Sequence, residues 1–130
     1  MKIYLAARWA ERDILRQWRD AIEQNPLHKV VSRWIDLEEP DRNEPLWERG
    51  CAFWCLTDLG GADLLIIYST PGWPQPTTDG LWVEFGWALA SEFVDIWLVG
   101  PRTNIFTWIY GVRQFDTWEA ALSQLAARSG

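Results

Sequence analysis

Ala62-Asp-Leu-Leu-Ile-Ile-Tyr68 contains a continuous hydrophobic run of strand length after Asp63, and it decides the fold class. Such a run is typical of a central strand in a parallel sheet, where helices cover both faces. Further strands are expected at 2–6, 29–35, 94–99 and 112–115, and helices at 8–24, 44–60, 81–90 and 120–127, with a short helical turn in 103–110. This alternation predicts an α/β fold of the flavodoxin/Rossmann-like kind, a three-layer sandwich with about five mostly parallel strands. A single domain is expected over residues 1–130.

The charge balance limits the class of partner. The chain has 18 acidic and 12 basic residues, a net charge of −6, which argues against a nucleic-acid backbone or an anionic membrane as the main partner. There is no basic leader followed by an apolar run and no apolar stretch of membrane-spanning length, so we expect a cytoplasmic protein.

Cys51 and Cys55 are four residues apart in a predicted helix, where both thiols would lie on one face. This spacing allows a shared metal ion, but zinc needs about four ligands and the only histidine is His28. We therefore expect two buried, reduced thiols, and no metal ion or cofactor. The 11 tryptophans include candidates for stacking against a flat ring.

Residues 79–91 predict a helix that is apolar almost all the way round, with Glu84 as the only charge between Leu81 and Ala90. A buried carboxylate is costly unless it is paired or used in chemistry. The helix face that carries Glu84 also carries Gly80, Ala88 and Ser91, with Trp87 at its edge. The small side chains on this face leave room for a ligand beside the carboxylate.

Ligands of parallel sheets bind beyond the carboxyl ends of the strands, so loops 6–9, 69–80 and 100–104 are expected around the site. The first loop, Ala6-Ala-Arg-Trp9, is not a Gly-rich phosphate loop, which argues against a nucleotide kinase or a dinucleotide oxidoreductase. A buried carboxylate beside a tyrosine and hydroxyls suits cleavage of a bond at a sugar carbon through an oxocarbenium-like state.

Four segments give a resemblance to the nucleoside 2-deoxyribosyltransferase family, including its 2′-deoxynucleoside 5′-phosphate N-hydrolase branch, over nearly the whole chain. They are Ile3-Tyr-Leu-Ala-Ala7, Ala62-Asp-Leu-Leu-Ile-Ile67, Gly80-Leu-Trp-Val-Glu-Phe-Gly-Trp-Ala88, and Leu98-Val-Gly-Pro101 with Asn104-Ile-Phe106. The Glu-x-Gly-x-Ala element after an Ala-Asp strand is the most specific of them.

The resemblance implies that Glu84 attacks the anomeric carbon and holds the sugar as a glycosyl ester, while Tyr4 orients the carboxylate. The alternatives are a buried acid paired with an arginine and a core tyrosine. The family also has an aspartate in the helix before the third strand, which serves the departing base. That position falls on Cys55 here, and the nearest aspartate is Asp58. Either the helix is shortened so that Asp58 fills the role, or the function of the aspartate is missing and base activation is weakened; in the second case Asp58 is an ordinary helix-end residue.

The resemblance also assigns substrate contacts. Thr78 and Asp79 fall where relatives contact the sugar hydroxyls, although Asp79 is equally explained as a helix cap. Asn104 resembles a residue lent to a neighbouring subunit's pocket, which implies a homodimer; alternatively it caps a turn. Arg8 stands where relatives that hydrolyse nucleotides hold a phosphate, or it pairs with acidic side chains. Gly80 and Trp87 complete the predicted substrate-binding set.

The sequence therefore predicts an enzyme that cleaves the N-glycosidic bond of 2′-deoxynucleosides or their 5′-monophosphates, and passes the sugar to another base or to water. Two alternatives stay open: a nucleotide-binding or sensor domain without turnover, and a ribosyl glycohydrolase of the kind that releases nicotinamide from a dinucleotide.

Overall fold

A computed structural model describes residues 1–37, 45–70 and 79–129, with the side chains of 45–50, 79 and 129 left aside. These residues contain five strands, all parallel, in the order β2-β1-β3-β4-β5. The strands are β1 (Lys2–Ala6), β2 (Lys29–Val30), β3 (Leu64–Tyr68), β4 (Asp95–Val99) and β5 (Val112–Phe115). The predicted five-stranded parallel α/β fold is confirmed.

Four α-helices connect and cover the strands. They are α1 (Arg12–Ile22), which follows a 3₁₀ turn at Trp9–Glu11, α2 (Pro45–Gly60), α3 (Asp79–Ala90) and α4 (Trp118–Ser129). A further 3₁₀ turn, Ile105–Trp108, lies between β4 and β5. None of the helices among the described residues combines the length and apolar character needed to cross a membrane.

The helices lie on two faces of the sheet. On one face, Trp18 of α1 stacks on Trp118 of α4 with ring centroids 4.2 Å apart, and Trp18 also contacts Tyr68 of β3. Tyr4 of β1 is in register with Leu65, so its side chain points to the face opposite that of Tyr68. Helices α2 and α3, which contact each other, cover this second face. The result is a three-layer sandwich with fully buried central strands.

The predicted second strand, 29–35, is wrong at its carboxyl end, because β2 ends at Val30. Side chains replace the missing strand pairing. The Leu5 backbone N–H donates to Ser32 Oγ at 3.1 Å, and the Leu5 carbonyl accepts from Trp34 Nε1 at 2.9 Å. The backbone of β1 is thus satisfied without a longer edge strand, and a 3₁₀ turn forms where strand was expected.

The predicted start of the last helix is also corrected. The segment Asp116-Thr-Trp-Glu119 resembles a capping box, which predicts that Asp116 caps the helix and that Glu119 reaches back to it. Instead Thr117 Oγ1 accepts from the Ala120 backbone N–H at 3.2 Å, and Asp116 accepts from the side chain of Gln114 at 3.2 Å. The hydroxyl of Thr117 supplies the cap, so α4 begins two residues earlier than the pattern suggested.

Candidate active site

Glu84 lies in the second turn of α3, on the side of the helix that meets α2 and the sheet. Its Oε2 atom is buried and has no hydrogen-bond partner among the described residues, and the same holds for the hydroxyl oxygen of Tyr4. The neighbouring residues Leu81, Phe85 and Ala88 are buried and fix α3 against the core. The helix packing therefore holds this carboxylate oxygen in a buried position without a hydrogen-bond partner from the described residues.

Burial raises the pKa of Glu84 from 4.5 to about 7, and the nearby Tyr4 hydroxyl lowers it in part. The pKa of Tyr4 is strongly raised, chiefly by burial and next by the negative charge of Glu84. The carboxyl group is consequently about half ionised at neutral pH, with a neutral phenol beside it. A pKa near the working pH is a common property of catalytic acids and nucleophiles.

Two adjoining cavities meet at Glu84. The first, about 370 Å³, lies between α2 and α3, and its other described walls are Cys51, Ala52, Cys55, Leu56, Gly80 and Val83. The second, about 160 Å³, reaches the carboxyl end of β1, where Ala7, Trp9, Trp34 and Leu81 join Glu84, Gly80 and the two cysteines. The first cavity alone falls within the size range of small-molecule sites.

A larger cavity of about 570 Å³ lies on the opposite face, against Trp18, Tyr68 and Trp118. Its described lining contains no buried polar side-chain atom without a partner. The Glu84 cavity contains one, Oε2 of Glu84. We therefore place the candidate active site at Glu84 rather than at this larger cavity.

Cys51 and Cys55 lie on one face of α2, as the spacing predicted, and both line the two cavities. Burial raises the pKa of Cys55 to about 12 and also raises that of Cys51. Both thiols are thus neutral at physiological pH. Within the described part of the chain, no three His, Cys, Asp or Glu side chains are grouped so that they could hold a metal ion.

The structure does not bring Asp58 to Glu84. Asp58 lines neither cavity; its carboxylate accepts from the Arg33 backbone N–H at 3.1 Å and pairs with the Arg33 guanidinium at 2.8 Å. It ties α2 to the segment that follows β2. We therefore do not carry its predicted catalytic role forward; the described α2 residues that line the cavity are Cys51, Ala52, Cys55 and Leu56.

The predicted substrate contacts are divided between several places. Gly80 lines both cavities, and a Cβ added there would meet nothing within 4 Å, so this position has room for a ligand. Thr78 lies outside the described residues. Asp79 begins α3, and its side chain is likewise outside them.

Three further predicted residues do not line the cavities at Glu84. Arg8 pairs with Glu11 at 2.5 Å, while its Nε is buried without a hydrogen-bond partner in the described part of the chain. Trp87 is half-exposed, near Gly60. Asn104 caps a 3₁₀ turn by accepting from the Phe106 backbone N–H at 2.9 Å. Asn104 lies on a separate cavity of about 430 Å³ beside α3.

Trp9 and Trp34 form the aromatic wall of the smaller cavity with ring centroids 6.2 Å apart, and neither was predicted as a site residue. The sequence did place the loop 6–9, which contains Trp9, at the carboxyl edge of the sheet. Trp34 was assigned to a strand and could be located only once that strand was seen to end early.

No protein-family model matches this chain. No curated protein matches it either. The resemblance to the nucleoside 2-deoxyribosyltransferase family therefore depends on its motifs alone and stays a prediction.

Proposed function

We propose that this protein is an enzyme that cleaves the N-glycosidic bond of 2′-deoxynucleosides or their 5′-monophosphates, with Glu84 as the nucleophile. The observation that carries the proposal is the buried Oε2 atom of Glu84, which has no hydrogen-bond partner among the described residues, on the wall of a cavity of about 370 Å³. The family resemblance supplies the substrate class.

The structural alternative for Glu84 was an ordinary ion pair with an arginine. The described arginines that form ion pairs do so with other acids, and the Glu84 carboxylate oxygen is buried beside Tyr4 instead. A carboxylate kept in this state destabilises the fold. Such a group is better explained by chemistry that needs a nucleophile in a partly apolar site.

The proposed reaction has two steps. One Glu84 carboxylate oxygen forms a bond to C1′ of the sugar while the bond from C1′ to the base nitrogen breaks, and its electron pair goes to the base. Water or a second base then attacks C1′, and the bond to Glu84 breaks to regenerate the carboxylate. With water, one proton is released. The Tyr4 hydroxyl orients the carboxylate and stabilises its ionised form.

We also propose a homodimer in the cytoplasm. The segment next to Asn104 presents large apolar side chains to solvent, including Ile105, Phe106, Trp108 and Tyr110, which suits a surface covered by a second copy. The two reduced thiols suit a reducing compartment. Light scattering after size-exclusion chromatography tests the dimer.

One observation favours a second function, a nucleotide-binding domain without turnover. The Cys55 thiol of α2 lines the cavity at the position where the resembling family has an aspartate for the departing base. A domain that keeps its cavity but has lost this acid would bind without releasing a base.

Base release measured by chromatography separates the two functions. Deoxynucleosides and their monophosphates are incubated with the wild type, with Glu84→Gln and with the surface control Glu92→Gln, each with and without a second free base. Release that is lost only in Glu84→Gln supports the proposed nucleophile, and exchange with the added base indicates transfer rather than hydrolysis. Calorimetric binding without release from any substrate rejects the enzyme in favour of the binding domain.

A further inference from the structure

Among the described residues, Glu84 is the only charged side chain on the wall of the cavity between α2 and α3. Apart from Glu84, its described walls are the thiols of Cys51 and Cys55, the side chains of Leu56 and Val83, and small residues. Leu56 and Val83 also form an apolar rim, since both are exposed to solvent. A base that leaves C1′ into this space is surrounded by hydrocarbon and sulfur instead of water.

A neutral base leaves poorly into such a space. It departs with the electron pair of the broken bond and becomes an anion unless it receives a proton, and an anion is badly solvated by apolar groups. Among the described residues that line this cavity, the candidate donor is Cys55, whose burial raises its pKa to about 12 and makes it a weak acid. Asp58, one turn further along α2, is held by Arg33.

A base that is already positively charged has no such difficulty. Its bond to C1′ breaks with the electron pair moving onto the charged nitrogen, so the base leaves neutral and needs no proton. At the same time the negative Glu84 oxygen becomes a neutral ester. Both charges disappear as the bond breaks, and an apolar surrounding favours a transition state in which opposite charges are lost over one in which charge is created.

We propose that the cavity selects N-glycosides whose base carries a positive charge, namely an N-alkylated purine or a pyridinium. This inference rests on the proposed function, since it concerns the leaving group of the same reaction. Cys51, Cys55, Leu56 and Val83 are the residues that determine the preference, and Glu84 provides the negative partner. Water completes the reaction by attacking C1′ of the ester, which frees the sugar, the Glu84 carboxylate and one proton.

The test compares base release from 7-methyl-2′-deoxyguanosine, nicotinamide 2′-deoxyriboside and uncharged 2′-deoxyguanosine. Each kcat/KM is divided by the spontaneous rate without enzyme, because the charged compounds also decay faster in water. We expect this enhancement to be larger by about tenfold or more for a charged substrate. The purine and pyridinium compounds distinguish the two sources of the charged base.

Two variants of Cys55 test the cause. Cys55→Asp places an acid on the wall and is expected to raise release of the uncharged base by about a hundredfold, the usual range of general acid catalysis, with little gain for the charged ones. Cys55→Ser has a similar shape but no acid, so the preference should persist. If Cys55→Asp does not fold, as judged by circular dichroism, the serine variant and the substrate comparison still decide.

The outcomes separate this inference from the proposed function. Equal enhancement of charged and uncharged substrates by the wild type, with release lost in Glu84→Gln, overturns the preference and leaves the enzyme. An unchanged preference in a folded Cys55→Asp variant also overturns it. Absence of release from all three compounds overturns this inference, and the proposed function is overturned as well when the deoxynucleosides and monophosphates of the base-release assay also stay intact.

Discussion

Replacing Glu84 by glutamine is expected to stabilise the protein against unfolding at pH 8.5 much more than at pH 5. Burial raises the pKa of Glu84 from 4.5 in the unfolded chain to about 7 in the folded one. Below pH 4.5 the carboxyl group is neutral in both states. Between the two pKa values only the unfolded chain ionises, so the wild type loses stability as the pH rises and the loss is complete above pH 7.

The magnitude follows from the two pKa values, each unit of difference corresponding to about 1.36 kcal/mol. The ionisation of Glu84 therefore costs the folded state about 3 kcal/mol at pH 8.5, and about 1 kcal/mol at pH 5. Glutamine cannot ionise and escapes this cost. Any effect of the amide on packing is present at both values of pH, so the expected difference between them, about 2 kcal/mol, isolates the ionisation.

Urea unfolding followed by circular dichroism measures this difference. For a slope near 2 kcal/mol/M, the gain of about 3 kcal/mol at pH 8.5 raises the urea midpoint of Glu84→Gln over that of the wild type by roughly 1.5 M. Glu92→Gln is the matched control, because Glu92 is exposed at the end of α3 and its replacement should act alike at both values of pH. A Glu84→Gln variant whose gain is the same at pH 5 and pH 8.5 would refute the assigned state of this carboxylate.

Further expectations concern activity and the backbone. Base release should rise with pH through the Glu84 pKa of about 7, because the ionised carboxylate is the nucleophile; a pH–rate profile measures this. Tyr4→Phe should move that midpoint higher and slow release by about tenfold, since the Tyr4 hydroxyl lowers the Glu84 pKa in part. Asp58→Asn should lower the melting temperature with release near that of the wild type, and a loss of release in folded protein would contradict its structural role. Gly100→Ala should lower the free energy of unfolding, measured in urea, by several kcal/mol more than Gly111→Ala does. Both glycines have φ above 100°, but only at Gly100 would an added Cβ overlap a backbone carbonyl oxygen, that of Ser69.

The sequence predicted the sheet well because its signal is local. The strand residues at 64–68 form a continuous hydrophobic run, and burial of both faces of a parallel strand requires this. The second strand was misjudged at its end because the contacts that replace it, from Ser32 and Trp34 to Leu5, join residues 27 and 29 positions apart. Such distant contacts leave no mark on the pattern of neighbouring residues.

The site was predicted in part for the same reason. Glu84 was identified from its helix alone, since a single charge in an apolar helix is visible in sequence. Asp58 was placed by its distance along the chain, and its partner Arg33 belongs to a segment that the sequence assigned to a strand. That Cys55 lies on the wall of the cavity depends on how α2 is rotated against α3. This rotation is set by side-chain packing and cannot be derived from the spacing of residues along the chain.

The stability and the chemistry of Glu84 are therefore linked. A cost of about 3 kcal/mol is large for a fold whose total stability is of the order of 5 to 15 kcal/mol, and an uncharged residue at position 84 would avoid it. The cost falls when a positive charge enters the cavity, because such a charge favours the ionised carboxylate that burial opposes. An oxocarbenium-like carbon or a cationic base supplies that charge only during the reaction. A Glu84→Gln variant that is both more stable at high pH and unable to release a base would show one carboxylate responsible for both effects.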